Sequence, residues 1–237
     1  MSALINPLVS VIVAVRNGER FLSSALTSIF NQDYRPLEVI VVDGQSEDGT
    51  AEVAQSFEQV RYILQTDRGI ADAYNRGIAA AQGDLVAFLS YDDIWMPSKL
   101  CLQVSYLLDH PKIQYTITLM KYFLEPGHHI PVGFKRELLK GHHVGRVMET
   151  LVARKSLFDV IGGFDPGMAL AEDADWYARA NDHAMPMAII PEVLLRKRIH
   201  DANASSDAQT SNRELLKALK RSIERKKSRV DSQQNRS

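Results

Sequence analysis

A single cysteine, Cys101, stands in a chain of 237 residues. No intrachain disulfide can form, and a cysteine-built zinc site is excluded, which points to a reducing compartment. Long apolar runs are equally scarce. The longest strand-like run, Val11–Val15, falls far short of the roughly 20 residues that span a bilayer. Met1–Pro7 carries neither a basic segment nor a separate apolar one, so the sequence predicts no secretory leader and a cytoplasmic protein. There is no internal repeat. Net charge is also small, -1, with 24% charged and 45% hydrophobic residues, the composition of an ordinary globular protein.

That near-neutral balance hides an uneven spread. From Arg213 onward the chain has nine Lys and Arg against three Asp and Glu, so an acidic body carries a basic tail. Leu215, Leu216, Leu219 and Ile223 share one face of a helix drawn through this tail, with cations elsewhere around it. Such a segment is either an interfacial helix on anionic lipid, a partner-binding helix, or a solvated helix that frays after Lys227. Nucleic acid is not an expected partner, because the body is acidic.

The first half alternates strand and helix. β-Branched or apolar runs at Leu8–Val15, Leu37–Asp43, Val60–Leu64 and Asp84–Leu89 read as buried strands. Between and after them, apolar residues at a 3.6 period predict helices over Glu19–Asn31, Ala51–Phe57, Gly69–Gln82 and Pro97–Leu108. Right-handed crossovers then give a parallel sheet covered by helices on both faces. The second half is less regular. Ile113–Leu119, Lys121–Leu124, Val147–Ala153, Met187–Ile190 and Val193–Ile199 read as strands, and Lys155–Ile161 and Ala174–His183 as helices. Glu125–Gly141, which carries Pro126, Gly127, Pro131 and Gly133, reads as an irregular loop. Its His128-His129 and the following His142-His143 lack a nearby carboxylate or cysteine cluster, so a surface or substrate-contacting role is expected rather than a metal shell. Asn203-Ala204-Ser205 matches a glycosylation sequon, discounted without a secretory leader.

Ligands of such sheets bind beyond the carboxyl ends of the strands. Those ends supply Val15-Arg16-Asn17, Asp43-Gly44, Thr66-Asp67 and Asp92-Asp93 to one rim. Two adjacent carboxylates after a buried strand repel each other and are best tolerated around a cation or a donor-rich ligand. Magnesium and manganese take such oxygen ligands, with substrate phosphates filling the shell. The alternative is a solvated turn in which Asp93 or Ser98 caps the next helix.

With these pieces in order, the chain resembles the family 2 glycosyltransferases with the GT-A fold, over roughly residues 7–206. The matching segments are Val9–Gly18, Glu38–Gly44, Asp48-Gly49-Thr50, Asp67–Gly77, Asp92-Asp93 with Trp95 and Pro97, Gly162-Gly163-Phe164-Asp165, and Glu172–Asp175. The resemblance implies a Rossmann-like, mostly parallel sheet with a smaller mixed acceptor-side half. It implies one domain over residues 1–212, with 7–110 binding the nucleotide-sugar, 111–206 binding the acceptor, and 213–237 as the tail.

The activity it implies is sugar transfer from a nucleotide-diphospho-sugar to a hydroxyl of a glycan or lipid-linked saccharide, with inversion and a divalent metal, Mn2+ or Mg2+. Asp173 corresponds to the general base, with Glu172 beside it on the donor-binding side. Asp43 corresponds to the residue that pairs with the base, against which Val15 and Arg16 lie. Asp67, Arg68 and Asn75 fall at donor-site positions. Asp92 and Asp93 correspond to the ribose and metal residues, in an order the sequence leaves open, and His200 to a position near the diphosphate or metal. Ser90 departs from the family, which often has a further Asp there. A nucleotidyltransferase would need a glycine- and cation-rich loop after the first strand, which Val15–Glu19 lacks. A non-catalytic nucleotide-sugar binder would be expected to lose Asp173 or the Asp92-Asp93 pair, and both are present.

Overall fold

The structure, a computed structural model, describes residues 6–67, 69–125, 129–131, 134–200 and 208–234. Arg68, His128 and the sequon Asn203-Ala204-Ser205 lie outside the described residues.

Alternation on the first strand decides the layering. In β1 (Val9–Val15), every residue is buried, because both faces of the sheet are covered. Val9, Val11, Val13 and Val15 pack with α1 (Glu19–Phe30) and α4 (Lys99–Asp109) through Leu22, Leu26, Leu100 and Val104. Ile12 and Ala14 point to the other layer, formed by α3 (Ile70–Ala80), α5 (Ser156–Ile161) and α6 (Glu172–Asp182). There Tyr74, Phe88, Phe158, Phe164 and Trp176 form a continuous aromatic cluster. Each such buried apolar side chain contributes about 1.5–3 kcal/mol relative to exposure. A Cβ at Gly77 would stand 2.3 Å from Cγ2 of Ile12, so α3 approaches β1 this closely only with glycine there.

As expected, β2 (Leu37–Asp43), β3 (Val60–Leu64) and β4 (Leu85–Ser90) extend β1 in parallel; their order is β3-β2-β1-β4. α2 (Thr50–Gln55) joins β2 to β3. Beyond β4 the sheet is mixed. β8 (Val152–Arg154) is antiparallel to both β4 and β6 (Tyr115–Leu124), and β9 (Met187–Ile199) runs parallel to β6. β7 (His143–Val144) pairs with β6. The far end of β9 turns back to pair with β5 (Ile94–Trp95), directly after the acidic turn.

Three expectations for the second half change. The expected strands Ile113–Leu119 and Lys121–Leu124 merge into one, β6, which begins only at Tyr115. Met187–Ile190 and Val193–Ile199 also merge, because Pro191 and Glu192 are absorbed in a register shift opposite Thr118 and Leu119, which accommodates a residue without an N–H. Val147–Ala153 is not one strand. Met148–Thr150 forms a tight 3-10 turn, closed by the Thr150 hydroxyl donating to the Val147 carbonyl, and only Val152–Arg154 is extended.

The tail forms α7 (Ala208–Gln234), a long helix against α6. It docks by its small and polar side: Glu214, Ala218 and Ser222 are buried. Ser222 Oγ donates to Asp182 at 2.7 Å, Arg225 Nε reaches the other Asp182 oxygen at 2.8 Å, and Arg221 pairs with Asp165.

Candidate functional site

The loops after β1 and β2 are laced together. Asp43, the last residue of β2, is buried. Its Oδ1 accepts from Ser46 N at 2.9 Å and from Ser46 Oγ at 2.6 Å, and its Oδ2 from the Tyr62 hydroxyl at 2.7 Å. Ser46 Oγ in turn accepts from Asn17 N at 2.8 Å, and the Val15 carbonyl accepts from Gly44 N at 2.8 Å. A carboxylate fixed in this way is oriented before any ligand arrives. Val15 is buried at this seam, and Arg16 is exposed next to it.

The two carboxylates of the acidic turn have different surroundings. Asp93 is fully buried. Its Oδ1 accepts from the backbone N–H of Arg198 at 2.8 Å and its Oδ2 from Lys197 Nζ at 2.9 Å. Asp92 Oδ2 instead lies 2.9 Å from His200 Nε2. The Asp92 carbonyl accepts from Arg198 Nε at 2.7 Å. The Arg198 guanidinium pairs with Glu125 and lies 4.7 Å from each of the Phe21 and Phe123 ring centroids. The turn is therefore held by Lys197 and Arg198 at the end of β9 and by His200 just after it.

Glu149, in the tight turn before β8, joins the same group. It accepts from Ser90 Oγ and lies 3.2 Å from Lys197 Nζ. Two carboxylates, Asp93 and Glu149, thus share one ammonium. Burial pushes Asp93 up to about 7, reinforced by Asp92 and Glu149 and opposed by Lys197. Asp92 is held below the usual carboxylate range: burial works against this, but the His200 hydrogen bond and Lys197 prevail. Burial disfavours the Lys197 charge, yet Asp93, Glu149 and Asp92 raise it well above the ordinary lysine value. Asp93 and Glu149 share Lys197, Asp92 pairs with His200, and the other fixed cation beside the turn, Arg198, is already paired with Glu125, so the carboxylates of the group outnumber its cations.

That excess suits a cation, and the carboxylate–imidazole pair Asp92–His200 supplies donors for one. Among the described residues no group of three or more His, Cys, Asp or Glu side chains forms a ready-made shell. The donor set therefore fits an ion that takes one or two protein ligands and completes its shell with phosphate and water, as Mg2+ and Mn2+ do.

Glu172 and Asp173 open α6. Asp173 keeps part of its surface open, but lies deep among its neighbours. Burial and the Glu149 charge push it up to about 6, and Lys197 pulls the other way. It accepts from Ala174 N at 2.6 Å. Burial and Asp173 push Glu172 up to about 8, and Glu172 Oε2 has no hydrogen-bond partner among the described residues. The acidic turn and this second pair therefore share one electrostatic neighbourhood, centred on Glu149 and Lys197.

Other expected residues are engaged elsewhere. The amide of Asn75 is spent on the loop before α6: its Oδ1 accepts from Phe164 N and its Nδ2 donates to Phe164 O, both at 2.8 Å. Asp67 is exposed and pairs with Arg76 at 2.6 Å, which also holds Asp72 at 2.7 Å. His143 Nε2 lies 2.9 Å from the Leu138 carbonyl and stays out of any metal cluster. The sequence did not single out Glu149, Lys197 or Glu214. Glu149 falls within the expected strand Val147–Ala153, Lys197 within the expected strand Val193–Ile199, and Glu214 within the tail. Pairing of β9 with β5 was the missing signal for Lys197.

Residues 10–168 match the family described as Glycosyl transferase family 2. The chain belongs to this family. A glycosyltransferase of Rickettsia typhi is 29% identical over 86% of the chain and 67% of its own length. The Escherichia coli enzyme WfgD, a UDP-Glc:α-D-GlcNAc-diphosphoundecaprenol β-1,3-glucosyltransferase, is 36% identical over 43% of the chain and 41% of its own length. Among solved structures, the mannosyltransferase PcManGT of Pyrobaculum calidifontis, in complex with GDP-Man and Mn2+, has a TM-score of 0.71 and 21% identity, covering 93% of this chain and 65% of that one. The chain thus spans about two thirds or less of these proteins. The shared fold is GT-A: a curled, mostly parallel sheet between helices. As a family 2 glycosyltransferase, the protein presents its acidic turn at the carboxyl end of β4.

Proposed function

We propose that this glycosyltransferase moves a sugar from a nucleotide-diphospho-sugar to a hydroxyl acceptor in one in-line displacement with inversion. The observation that carries this reading is the Glu149–Lys197 pair, which links the Asp92-Asp93 turn electrostatically to Asp173. Leaving-group and base functions in one pocket are what the displacement requires.

Asp43, oriented by Ser46 and Tyr62, would receive the base, with Val15 and Arg16 beside it. Asp92 and His200 would hold a divalent cation, which when bound neutralises the departing diphosphate. Asp93 is then a positioning residue, since both its oxygens are engaged by β9. Asp173 takes the acceptor proton as the acceptor oxygen bonds to the anomeric carbon. The bond from that carbon to the diphosphate oxygen breaks, and its electron pair leaves with the diphosphate. A base near pH 6 is deprotonated at neutrality yet basic enough to assist. Residues 7–110 would form the donor side, with Lys197–His200 threading back into it, and the rest of 111–206 would shape the acceptor side. Asn75 braces the loop at Phe164, and Asp67 pairs with Arg76 of α3. WfgD acts on α-D-GlcNAc-diphosphoundecaprenol, and a glycan or lipid-linked saccharide is the acceptor class favoured here.

The test is a panel of UDP- and GDP-sugars with Mn2+ or Mg2+, followed by nucleoside-diphosphate release and by NMR of the product anomer. An inverted product, and release that collapses in Asp92→Asn and His200→Ala, are expected. Retention of configuration, or full activity in both variants, contradicts the assignment.

A further inference from the structure

The outer side of α7 is unusual for a helix docked on a protein. Its apolar arc faces away: Leu215 is 43% exposed, Leu216 68%, Leu219 57% and Ile223 46%. The buried side carries Glu214, Ala218 and Ser222, held by polar contacts to α6 and the loop before it. An amphipathic helix normally buries its leucines in its own protein. Here the hydrogen bonds of Glu214, Ser222 and Arg225 set the opposite orientation, so the leucines are presented outward.

Along one border of the apolar arc, helical spacing sets Arg213, Lys217, Lys220 and Lys227 in a row, all exposed, with Glu224 the one acidic residue among them. No helix among the described residues is long and apolar enough to cross a membrane. An apolar arc flanked by a cationic row is the pattern of a helix lying in the plane of a bilayer surface. Pairing of this face with a second copy would bring basic rows close to one another, whereas anionic headgroups neutralise them.

We propose that α7 docks the protein on an anionic lipid bilayer, with Leu215, Leu216, Leu219 and Ile223 in the interface and the Arg213–Lys227 row on the headgroups. The same helix holds the approach to Asp173. Glu214 accepts from Ala169 N at 2.9 Å, Leu170 N at 2.8 Å and Ala171 N at 3.2 Å, immediately before Glu172 and Asp173. Docking would therefore bring the bilayer beside the element that carries the proposed base. The proposal does not depend on the transfer reaction, because vesicle binding is read without a donor or acceptor.

The test is flotation of the full chain with vesicles of phosphatidylcholine alone and of phosphatidylcholine mixed with phosphatidylglycerol. Binding to the anionic vesicles only is expected, weakened by salt. Leu216→Glu with Leu219→Glu should reduce it by about tenfold or more, and Lys220→Glu with Lys227→Glu should weaken it and flatten the salt response. These sites are exposed, so unchanged thermal unfolding is the control for folding. Absence of binding to either vesicle overturns the proposal, as does binding that survives the leucine substitutions. A dimer in light scattering that dissociates on those substitutions also overturns it, by assigning the face to a second copy.

Discussion

Lys197 Nζ lies 2.9 Å from Asp93 Oδ2 although the two residues are 104 positions apart, and the same ammonium reaches Glu149 at 3.2 Å. The contact ties the end of β9 to the turn after β4. Removing the cation leaves two buried carboxylates without their partner, a loss of about 3–5 kcal/mol where a buried pair is broken from one side. Lys197→Met should lower the urea midpoint accordingly. An unchanged midpoint would show that solvent already screens the pair.

Glu172 predicts a pH effect on stability. Its folded value of about 8 lies above the 4.5 of an unperturbed glutamate. The folded state therefore binds the extra proton between those values, and stability falls as pH rises through that window. Glu172→Gln keeps the neutral form at every pH. It should raise the melting temperature at neutral pH and remove this part of the decline. A variant that melts with the same pH slope as the parent would contradict the assignment.

Lys99 is a core residue with no ion-pair partner among the described residues. Its Nζ has no hydrogen bond and sits 4.2 Å from the Trp95 ring centroid, and burial pushes its pKa well below the ordinary lysine value. Methionine has a similar length and no polar group to desolvate. Lys99→Met should stabilise the fold by about 1–3 kcal/mol, measured by chemical unfolding. Destabilisation would mean that the amine has a partner the fold needs.

Glu214 should matter beyond its position in the tail. Burial works to raise its pKa, but the amides of Leu170, Ala169 and Ala171 hold it below the usual glutamate range. Glu214→Ala leaves those amides without an acceptor and should cost about 1–3 kcal/mol of stability. Glu214→Gln should recover part of the loss, since its amide oxygen can still accept. Equal stability of both variants and the parent would remove Glu214 from the account.

The first half of the fold was legible because β1 to β4 are continuous apolar runs and the helices between them keep a clear period. The second half was not, since its pairing is non-local. Nothing near Lys197 in sequence announces that β9 returns to β5, and Glu149 lies in a turn whose alternation looks like a strand. The division between Asp92 and Asp93 was equally hidden, because it depends on which oxygen the β9 backbone reaches. The apolar stripe of α7 was readable, but its outward orientation was not. That is set by Asp182, Asp165 and the amides of residues 169–171, all distant in sequence.

If Asp173 is the base, kcat/KM should rise with pH and bend near its value of about 6, because the protonated carboxyl cannot accept the acceptor proton. A profile that stays flat through that region would assign the proton elsewhere.

Asp173→Asn tests the central claim most directly. Donor binding by calorimetry and sugar transfer should be measured on the same preparation. The account predicts that the variant binds the nucleotide-sugar as the parent does and transfers it about 100-fold more slowly or worse. Transfer at the parental rate by a variant that binds donor normally would contradict it.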